Sequence, residues 1–172
     1  PVLYKDNILN RHLLILNKSG CLMSVNFPEG ISNDQIGVDW KIDLREGERS
    51  LNSTSYKYEF MATPVLVDDK IYVPGIFCLH VIDHIYSDYP LHSIIQCEMT
   101  NDDYFETPVI YDTNIPTYRR FYFISHLGKI FMFNGSNVQS IVNGSLGLSQ
   151  SPLLLDNDGH IYCATFETES LI

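Results

Sequence analysis

The chain has 172 residues, of which 45% are apolar and 19% charged, and its formal net charge is −10. This balance is typical of a folded domain with its own core rather than of a disordered segment. An acidic surface repels nucleic-acid phosphates and anionic membranes, so neither is an expected partner. No apolar run reaches the ~18 residues that a membrane helix needs, and no basic-then-apolar leader is visible at Pro1.

A short phrase recurs along the chain, in which a proline leads an apolar run, an Asp- or Asn-rich turn and a second apolar run. Pro64, Pro108 and Pro152 begin three copies at intervals of 44 residues, each after a Ser or Thr, and Pro1 begins an earlier copy. Proline suits the entrance of a strand because it cannot donate to a central hydrogen-bond ladder. Asp and Asn favour the turn because their side chains bond back to their own backbone. Each copy therefore predicts strand, turn, strand, turn and strand.

The first copy, PVLYKDNILNRHLLILNKSGCLMSVN, aligns with the third, PVIYDTNIPTYRRFYFISHLGKIFMFN, with one gap. Gly20 matches Gly128 in this alignment, and both are predicted to lie in the second turn, where glycine accepts a positive φ. The segment GVDWKIDL predicts a fourth strand for the first copy and carries Trp40. LHSIIQCEM and NVQSIVNG predict the fourth strands of the second and third copies.

Residues 28–58 are interpreted as an insertion, because the first two prolines of the series are farther apart than the others. Its segment REGERSLNSTSYKYEF has mixed charge and is interpreted as a loop. Loops on a rigid scaffold often carry binding function. The candidate partner-binding residues are therefore Arg45, Arg49, Tyr56 and Tyr58.

The chain is interpreted as one domain over residues 1–172. The copies occupy about 1–60, 61–104, 105–148 and 149–172, and the last stops within its third strand. Three or four short antiparallel strands in every ~40–50 residues are typical of the blade of a β-propeller. A single blade cannot bury both of its faces, so the repeated phrase predicts a row of stacked blades.

The pattern [ST]-P-V-x-x-D-x-x-I-Y-V, followed by a glycine turn and another apolar strand, resembles the quinoprotein-type repeat of PQQ-like β-propellers. VDWKIDL resembles the outer strand whose tryptophan docks one blade onto the next in that family. The resemblance implies an all-β propeller of about four antiparallel blades, here a segment of a larger propeller or one completed by another chain. Trp40 is the only tryptophan, and no Glu, Asn and Asp cluster resembles the calcium and quinone site of the true dehydrogenases. No cofactor is therefore expected.

His80 and His84 are four residues apart, a spacing at which two histidines on a helix bind one metal ion. In the strand favoured here, that spacing separates them by ~13 Å, so no metal is expected. DNDG, at 156–159, resembles the start of a calcium loop, but a predicted strand interrupts the loop before its twelfth position. The carboxylates of NDDYFE are interpreted as solvated charges. No catalytic constellation stands out, so the chain is expected not to be an enzyme.

The cysteines contain no C-x-x-C spacing, which argues against a zinc knuckle. Cys21, Cys78 and Cys163 sit among apolar residues and are interpreted as small buried hydrophobes, although the sequence leaves disulfides open. The cysteines are Cys21, Cys78, Cys97 and Cys163.

Four Asn-x-Ser/Thr triplets favour a secretory, luminal or extracellular location, because such triplets accept glycans in surface turns. Asn also occurs in turns for backbone reasons, so this interpretation has an alternative. The triplets begin at Asn17, Asn52, Asn134 and Asn143.

Together these features predict a non-catalytic β-propeller module for protein–protein interaction or scaffolding. Its partner would be another protein or a second copy that covers the open blade faces. One alternative is a luminal or extracellular sensor or receptor domain, similar to the stress-sensing luminal regions of some ER kinases. Another is a PQQ-like appendage of a larger enzyme, such as an acyl-adenylating enzyme. A quinone-dependent oxidoreductase is a further alternative, which departs most from the residues present.

Overall fold

The structure, a computed structural model, describes residues 2–5, 11–27, 36–51, 59–100, 102–113, 119–142 and 146–166. Within these ranges the chain is all-β, with fourteen strands and one helix, and the strands form four antiparallel sheets. The all-β class predicted from the repeats is confirmed.

Each of the first three sheets is a four-stranded meander, in which strands that follow one another along the chain are neighbours. Sheet 1 contains β1 Val2–Lys5, β2 Arg11–Leu16, β3 Cys21–Phe27 and β4 Gly37–Asp43. Sheet 2 contains β5 Val65–Val67, β6 Lys70–Pro74, β7 Cys78–Asp83 and β8 Leu91–Gln96. Sheet 3 contains β9 Ile110–Asp112, β10 Arg120–Ile124, β11 Ile130–Phe133 and β12 Val138–Ser140. Sheet 4 pairs β13 Leu154–Leu155 with β14 Ile161–Tyr162.

Glycine allows the tight turn between the second and third strands of sheets 1 and 3. Gly20 has a φ of 92° and Gly128 a φ of 80°. This is the left-handed region that side chains with a Cβ rarely occupy. A Cβ at Gly20 would also crowd the ring of Phe60, which packs over this turn. The glycine turns predicted at both positions are therefore confirmed.

A helix, α1 (Leu44–Leu51), follows β4 directly. The interpretation of this part of the insertion as a loop was wrong. Asp43 initiates the helix, because its Oδ1 accepts a hydrogen bond from the backbone N–H of Arg45 at 3.0 Å, as an N-cap does. Glu46 in the first turn and Arg49 in the last turn complement the helix dipole. Leu44 is fully buried, so this end of α1 belongs to the core.

Consecutive sheets pack face to face through three clusters of apolar side chains. The cluster between sheets 1 and 2 includes Tyr4, Leu14, Leu22, Trp40, Ile71, Val73 and Ile82. The cluster between sheets 2 and 3 includes Tyr72, Leu79, Phe121, Phe123, Phe131 and Phe133. The cluster between sheets 3 and 4 includes Tyr122, Ile124, Ile130, Leu153 and Ile161. Side chains alternate between the two faces of a strand, so sheets 2 and 3 each bury both faces.

Candidate functional site

A group of polar side chains lies where helix α1 packs on sheet 2. We call it the buried polar cluster; it comprises Glu48, Cys78, His80 and the partly buried His92. Glu48 comes from α1, Cys78 and His80 come from β7, and His92 comes from β8. Cys78 and His80 are two residues apart in a strand, so their side chains share a face. Glu48, Cys78 and His80 are fully buried. Buried polar groups of this kind require partners.

The Glu48 carboxylate is the centre of this cluster. Its Oε1 accepts a hydrogen bond from the backbone N–H of Ile76 at 2.6 Å, and its Oε2 accepts one from Phe77 at 3.2 Å. Cys78 Sγ lies 3.3 Å and His80 Nε2 lies 3.1 Å from Oε1. These contacts attach α1 to the turn between β6 and β7.

His80 connects the carboxylate to the edge of the sheet. Its Nδ1 lies 2.9 Å from His92 Nε2, while its Nε2 faces Glu48. Cys78 Sγ lies 3.4 Å from His80 Nε2. Gly75 makes this arrangement possible, because a Cβ there would overlap the Glu48 carboxylate and crowd the His80 ring.

Burial controls the acid–base properties of the cluster. Desolvation, followed by the charge of Glu48, raises the pKa of the Cys78 thiol well above its usual value. Burial, followed by the nearby His80, lowers the pKa of His92 to about 4. By itself the thiol is therefore protonated at neutral pH, and a protonated buried thiol is a poor nucleophile. The raised pKa of the Cys78 thiol therefore does not favour cysteine-based catalysis.

The sequence interpretation missed most of this cluster. It weighed His80 with His84, but His84 follows the end of β7 with a φ of 55° and lies beside Asp83 rather than Glu48. One signal in the sequence could have found part of it: Cys78 and His80 are two residues apart in a predicted strand, which puts both side chains on one face. Glu48 could not have been found in this way, because its segment was interpreted as a loop.

A second polar group lies in sheet 1 and faces sheet 2. His12 Nδ1 lies 2.8 Å from Asp39 Oδ2, and Ser24 Oγ donates to the same oxygen at 3.1 Å. Tyr4 stacks on the His12 ring with centroids 4.8 Å apart, and its hydroxyl lies 3.0 Å from Ser24 Oγ. The serine bonds to the carboxylate and not to the histidine, so this is not the arrangement of a serine nucleophile and its base. Beside it lies a pocket of about 160 Å³ that reaches Asn26.

The candidate partner-binding residues are not alike in the structure. Arg45 is buried, and its guanidinium donates to the carbonyl oxygens of Ser19 at 2.9 Å and Lys18 at 3.2 Å. It also lies over the ring of Phe60, 5.2 Å from its centroid. Arg45 is thus held within the chain by packing and hydrogen bonds. Arg49 is exposed in the last turn of α1.

Two of these candidates, Tyr56 and Tyr58, lie outside the described residues, as does Pro1 among the repeat residues. Trp40 lies on β4 and docks on the next sheet, with its indole N–H donating to the carbonyl of Ile85 at 3.0 Å. The three other repeat prolines stand just before the first strands of their sheets, at Pro64, Pro108 and Pro152.

Among the carboxylates of NDDYFE, Asp102 is exposed as interpreted, whereas Asp103 and Glu106 are held by contacts within the chain. Asp103 is buried, and its Oδ1 accepts from the backbone N–H groups of Tyr104 and Leu127, each at 3.0 Å. Glu106 lies 3.1 Å from His126 Nδ1. These carboxylates fix turns.

The two end sheets each turn one face away from the rest of the described chain. The outward face of sheet 1 carries Leu3, Leu13, Ile15 and Met23, of which Leu3 is 65% exposed. Its cations are Lys5, Arg11 and Lys41, all exposed. The outward face of sheet 4 carries Leu154, 67% exposed, and Tyr162, 55% exposed, beside a pocket of about 400 Å³.

All four cysteines are unbridged thiols. Cys78 is buried as interpreted, but Cys163 is exposed and Cys21 is only partly buried, so the interpretation was wrong for these two, while Cys97 is buried. Two of the four glycosylation triplets, at Asn17 and Asn134, lie on exposed turns of the described chain. In both turns the Asn Oδ1 accepts a hydrogen bond from the backbone, so a turn-forming role explains why Asn is found there.

No helix among the described residues is long and apolar enough to span a membrane. Comparison with known proteins found no matching family model and no matching curated protein.

Proposed function

We propose that this chain is a non-catalytic module of the β-propeller type, and that it associates with a second copy of itself through the outward faces of sheets 1 and 4. The observation that carries the proposal is the stacking of three successive four-stranded meanders, each packed on the next. Propeller blades pack in the same way. A row of such sheets leaves one unpaired face at each end, and each end face here carries exposed apolar side chains.

The contact between sheets 2 and 3 provides an internal example of how two such faces fit together. Tyr72 packs on Phe121 with ring centroids 4.0 Å apart. At the margin, Arg119 forms an ion pair with Asp68. Asp68 is the first residue after the first strand of its sheet, and Arg119 directly precedes the second strand of the next sheet.

The two end sheets carry an aspartate and an arginine at comparable places along the chain. Asp156 is the first residue after β13, as Asp68 is after β5. Arg11 lies nine residues before Gly20 in the second turn of sheet 1. Arg119 likewise lies nine residues before Gly128 in the second turn of sheet 3. The outward face of sheet 4 in one copy would pack against the outward face of sheet 1 in another copy, as sheet 2 packs against sheet 3. Leu154 and Tyr162 would pack against Leu3 and its neighbours, and Arg11 would approach Asp156.

This head-to-tail contact is tested by measuring solution mass with light scattering, and shape with small-angle scattering, over a range of concentrations. We expect the wild-type chain to form dimers or larger assemblies. Leu3→Asp and Leu154→Asp should each prevent self-association, since each places a charge on one of the two faces. Tyr89→Asp is the matched control, because Tyr89 is 86% exposed and belongs to neither face.

The mixture of the two face variants gives the decisive result. Each variant keeps the face that the other has lost, so an equimolar mixture should form a heterodimer. A contact between two copies of the same face would instead leave one variant dimeric. A compact monomer at all concentrations would contradict self-association, and would direct the search for binding to the loops.

A further inference from the structure

We propose that the buried polar cluster is a zinc site, in which Glu48 Oε1, Cys78 Sγ and His80 Nε2 bind one Zn²⁺ ion. These three atoms lie close together in the described part of the chain, and all three side chains are fully buried. Carboxylate, thiolate and imidazole are the three ligand types that proteins use for zinc. The site is independent of the proposed contact between sheets 1 and 4, because it lies between α1 and sheet 2.

The distances between the ligand atoms fit a tetrahedral ion. Bonds of about 2.0 Å to nitrogen and oxygen and about 2.3 Å to sulfur place tetrahedral ligands roughly 3.3–3.6 Å apart. The three separations here are 3.1 Å for oxygen to nitrogen, 3.3 Å for oxygen to sulfur and 3.4 Å for sulfur to nitrogen. A uniform movement of about 0.2 Å would therefore accommodate the ion, within the usual tolerance for a metal site.

Charge balance also favours a divalent ion at this position. Binding replaces the thiol proton of Cys78, which leaves to solvent, and the ion is then held by one thiolate and one carboxylate. The two negative charges neutralise the ion, so the buried centre carries no net charge.

The hydrogen bonds around His80 also resemble those of histidines that bind zinc. A histidine that binds zinc usually donates its other ring N–H to a fixed acceptor, which sets its tautomer. His80 presents Nε2 to the proposed ion and Nδ1 to His92 Nε2, at 2.9 Å. His92 is thus a positioning residue. The backbone N–H groups of Ile76 and Phe77 orient the Glu48 carboxylate in the same way.

Other acidic groups in the described chain lack these features. Asp156, Asp158 and His160 lie close together but are not buried, and Asp156 accepts backbone N–H groups of its own turn. Asp69, Asp83 and His84 are likewise not buried. Such groups occur commonly without an ion, so they carry no proposal.

The test uses Co²⁺, which substitutes for zinc and reports sulfur ligation by a thiolate-to-cobalt charge-transfer band. We expect one Co²⁺ per chain, with this band, and its displacement by Zn²⁺. Cys78→Ser should abolish the band. Cys97→Ser is the matched control, because Cys97 is also buried but is not part of the cluster. Cys163→Ser controls for adventitious binding at the exposed thiol.

A second readout does not depend on spectroscopy. Zn²⁺ should raise the midpoint of thermal unfolding of the wild-type chain and of His126→Gln, which changes a different histidine–carboxylate pair, that of His126 with Glu106. His80→Gln should lose this response. If wild-type protein shows no thiolate-to-cobalt band, or if Cys78→Ser, folded by circular dichroism, keeps it, the site does not exist. The cluster is then only a hydrogen-bonded attachment of α1.

Discussion

The contact between sheets 1 and 2 differs in chemistry from the contact between sheets 2 and 3. The second is dominated by aromatic rings, including Phe121, Phe123 and Phe131. The first combines a mixed aliphatic and aromatic core with polar groups, among them Glu48 and His80, both fully buried. Sheets built from the same sequence repeat therefore pack on each other with different side-chain chemistry.

The difference shows what each kind of contact contributes. Aromatic packing stabilises through buried area and through the preferred geometries of ring pairs. A buried carboxylate with fixed hydrogen bonds stabilises less on balance, but it disfavours alternatives that leave it without partners. The polar contact occurs where an additional element, helix α1, must be placed on sheet 2. We infer that the aromatic contact supplies stability and the polar contact supplies position.

The largest predicted effect tests the aromatic contact. Phe123→Ala removes a fully buried ring that packs edge-on against Phe105, with centroids 5.0 Å apart. We expect the free energy of unfolding to fall by about 3–5 kcal/mol, through lost burial and the cavity left behind. Equilibrium unfolding in denaturant measures this. Phe166→Ala, which truncates a ring 62% exposed, should cost less than about 0.5 kcal/mol. Equal losses in the two variants would contradict the assignment of this core.

The next effect tests the polar contact. Glu48→Gln keeps the shape of the side chain but replaces one acceptor oxygen with a donor, so Ile76 or Phe77 loses its partner. We expect a loss of about 1–3 kcal/mol, measured in buffer with a chelator so that no metal contributes. Glu46→Gln, an exposed change on the same helix, should have an effect below about 0.5 kcal/mol. A neutral Glu48→Gln would mean that α1 is held by its apolar residues alone.

The sequence predicted the strands well because their signals are local. Each apolar run ends at a turn residue whose preference is set by its own backbone, such as the glycines at Gly20 and Gly128. The fourth strand that carries Trp40 was found for the same reason. Helix α1 was missed because its segment has a polar composition, and its few inward residues could not be recognised without knowing what covered them.

The sequence could not predict which face of its sheet each strand residue occupies. Val65 directly follows its proline, pairs with Tyr72 and packs in the core between sheets 2 and 3. Ile110 lies one residue later relative to Pro108, pairs with Tyr122 and packs in the core towards sheet 4. A one-residue shift exchanges the two faces of a strand. The 44-residue spacing of the prolines is equal in both copies, so it could not reveal this shift.

The smallest effect concerns the ion pair at the margin of the aromatic contact. Arg119→Gln removes the partner of Asp68, and both side chains are substantially exposed. Such pairs contribute about 0–1 kcal/mol, and salt screens them. We expect a loss in this range at low ionic strength that disappears in high salt, whereas Lys41→Gln, an exposed cation on sheet 1, should show no such dependence. A larger loss that persists in salt would mean that Arg119 acts by packing. If the pair is weak here, its proposed counterpart between Arg11 and Asp156 would set orientation and association rate more than affinity, and the apolar faces would provide most of the binding energy.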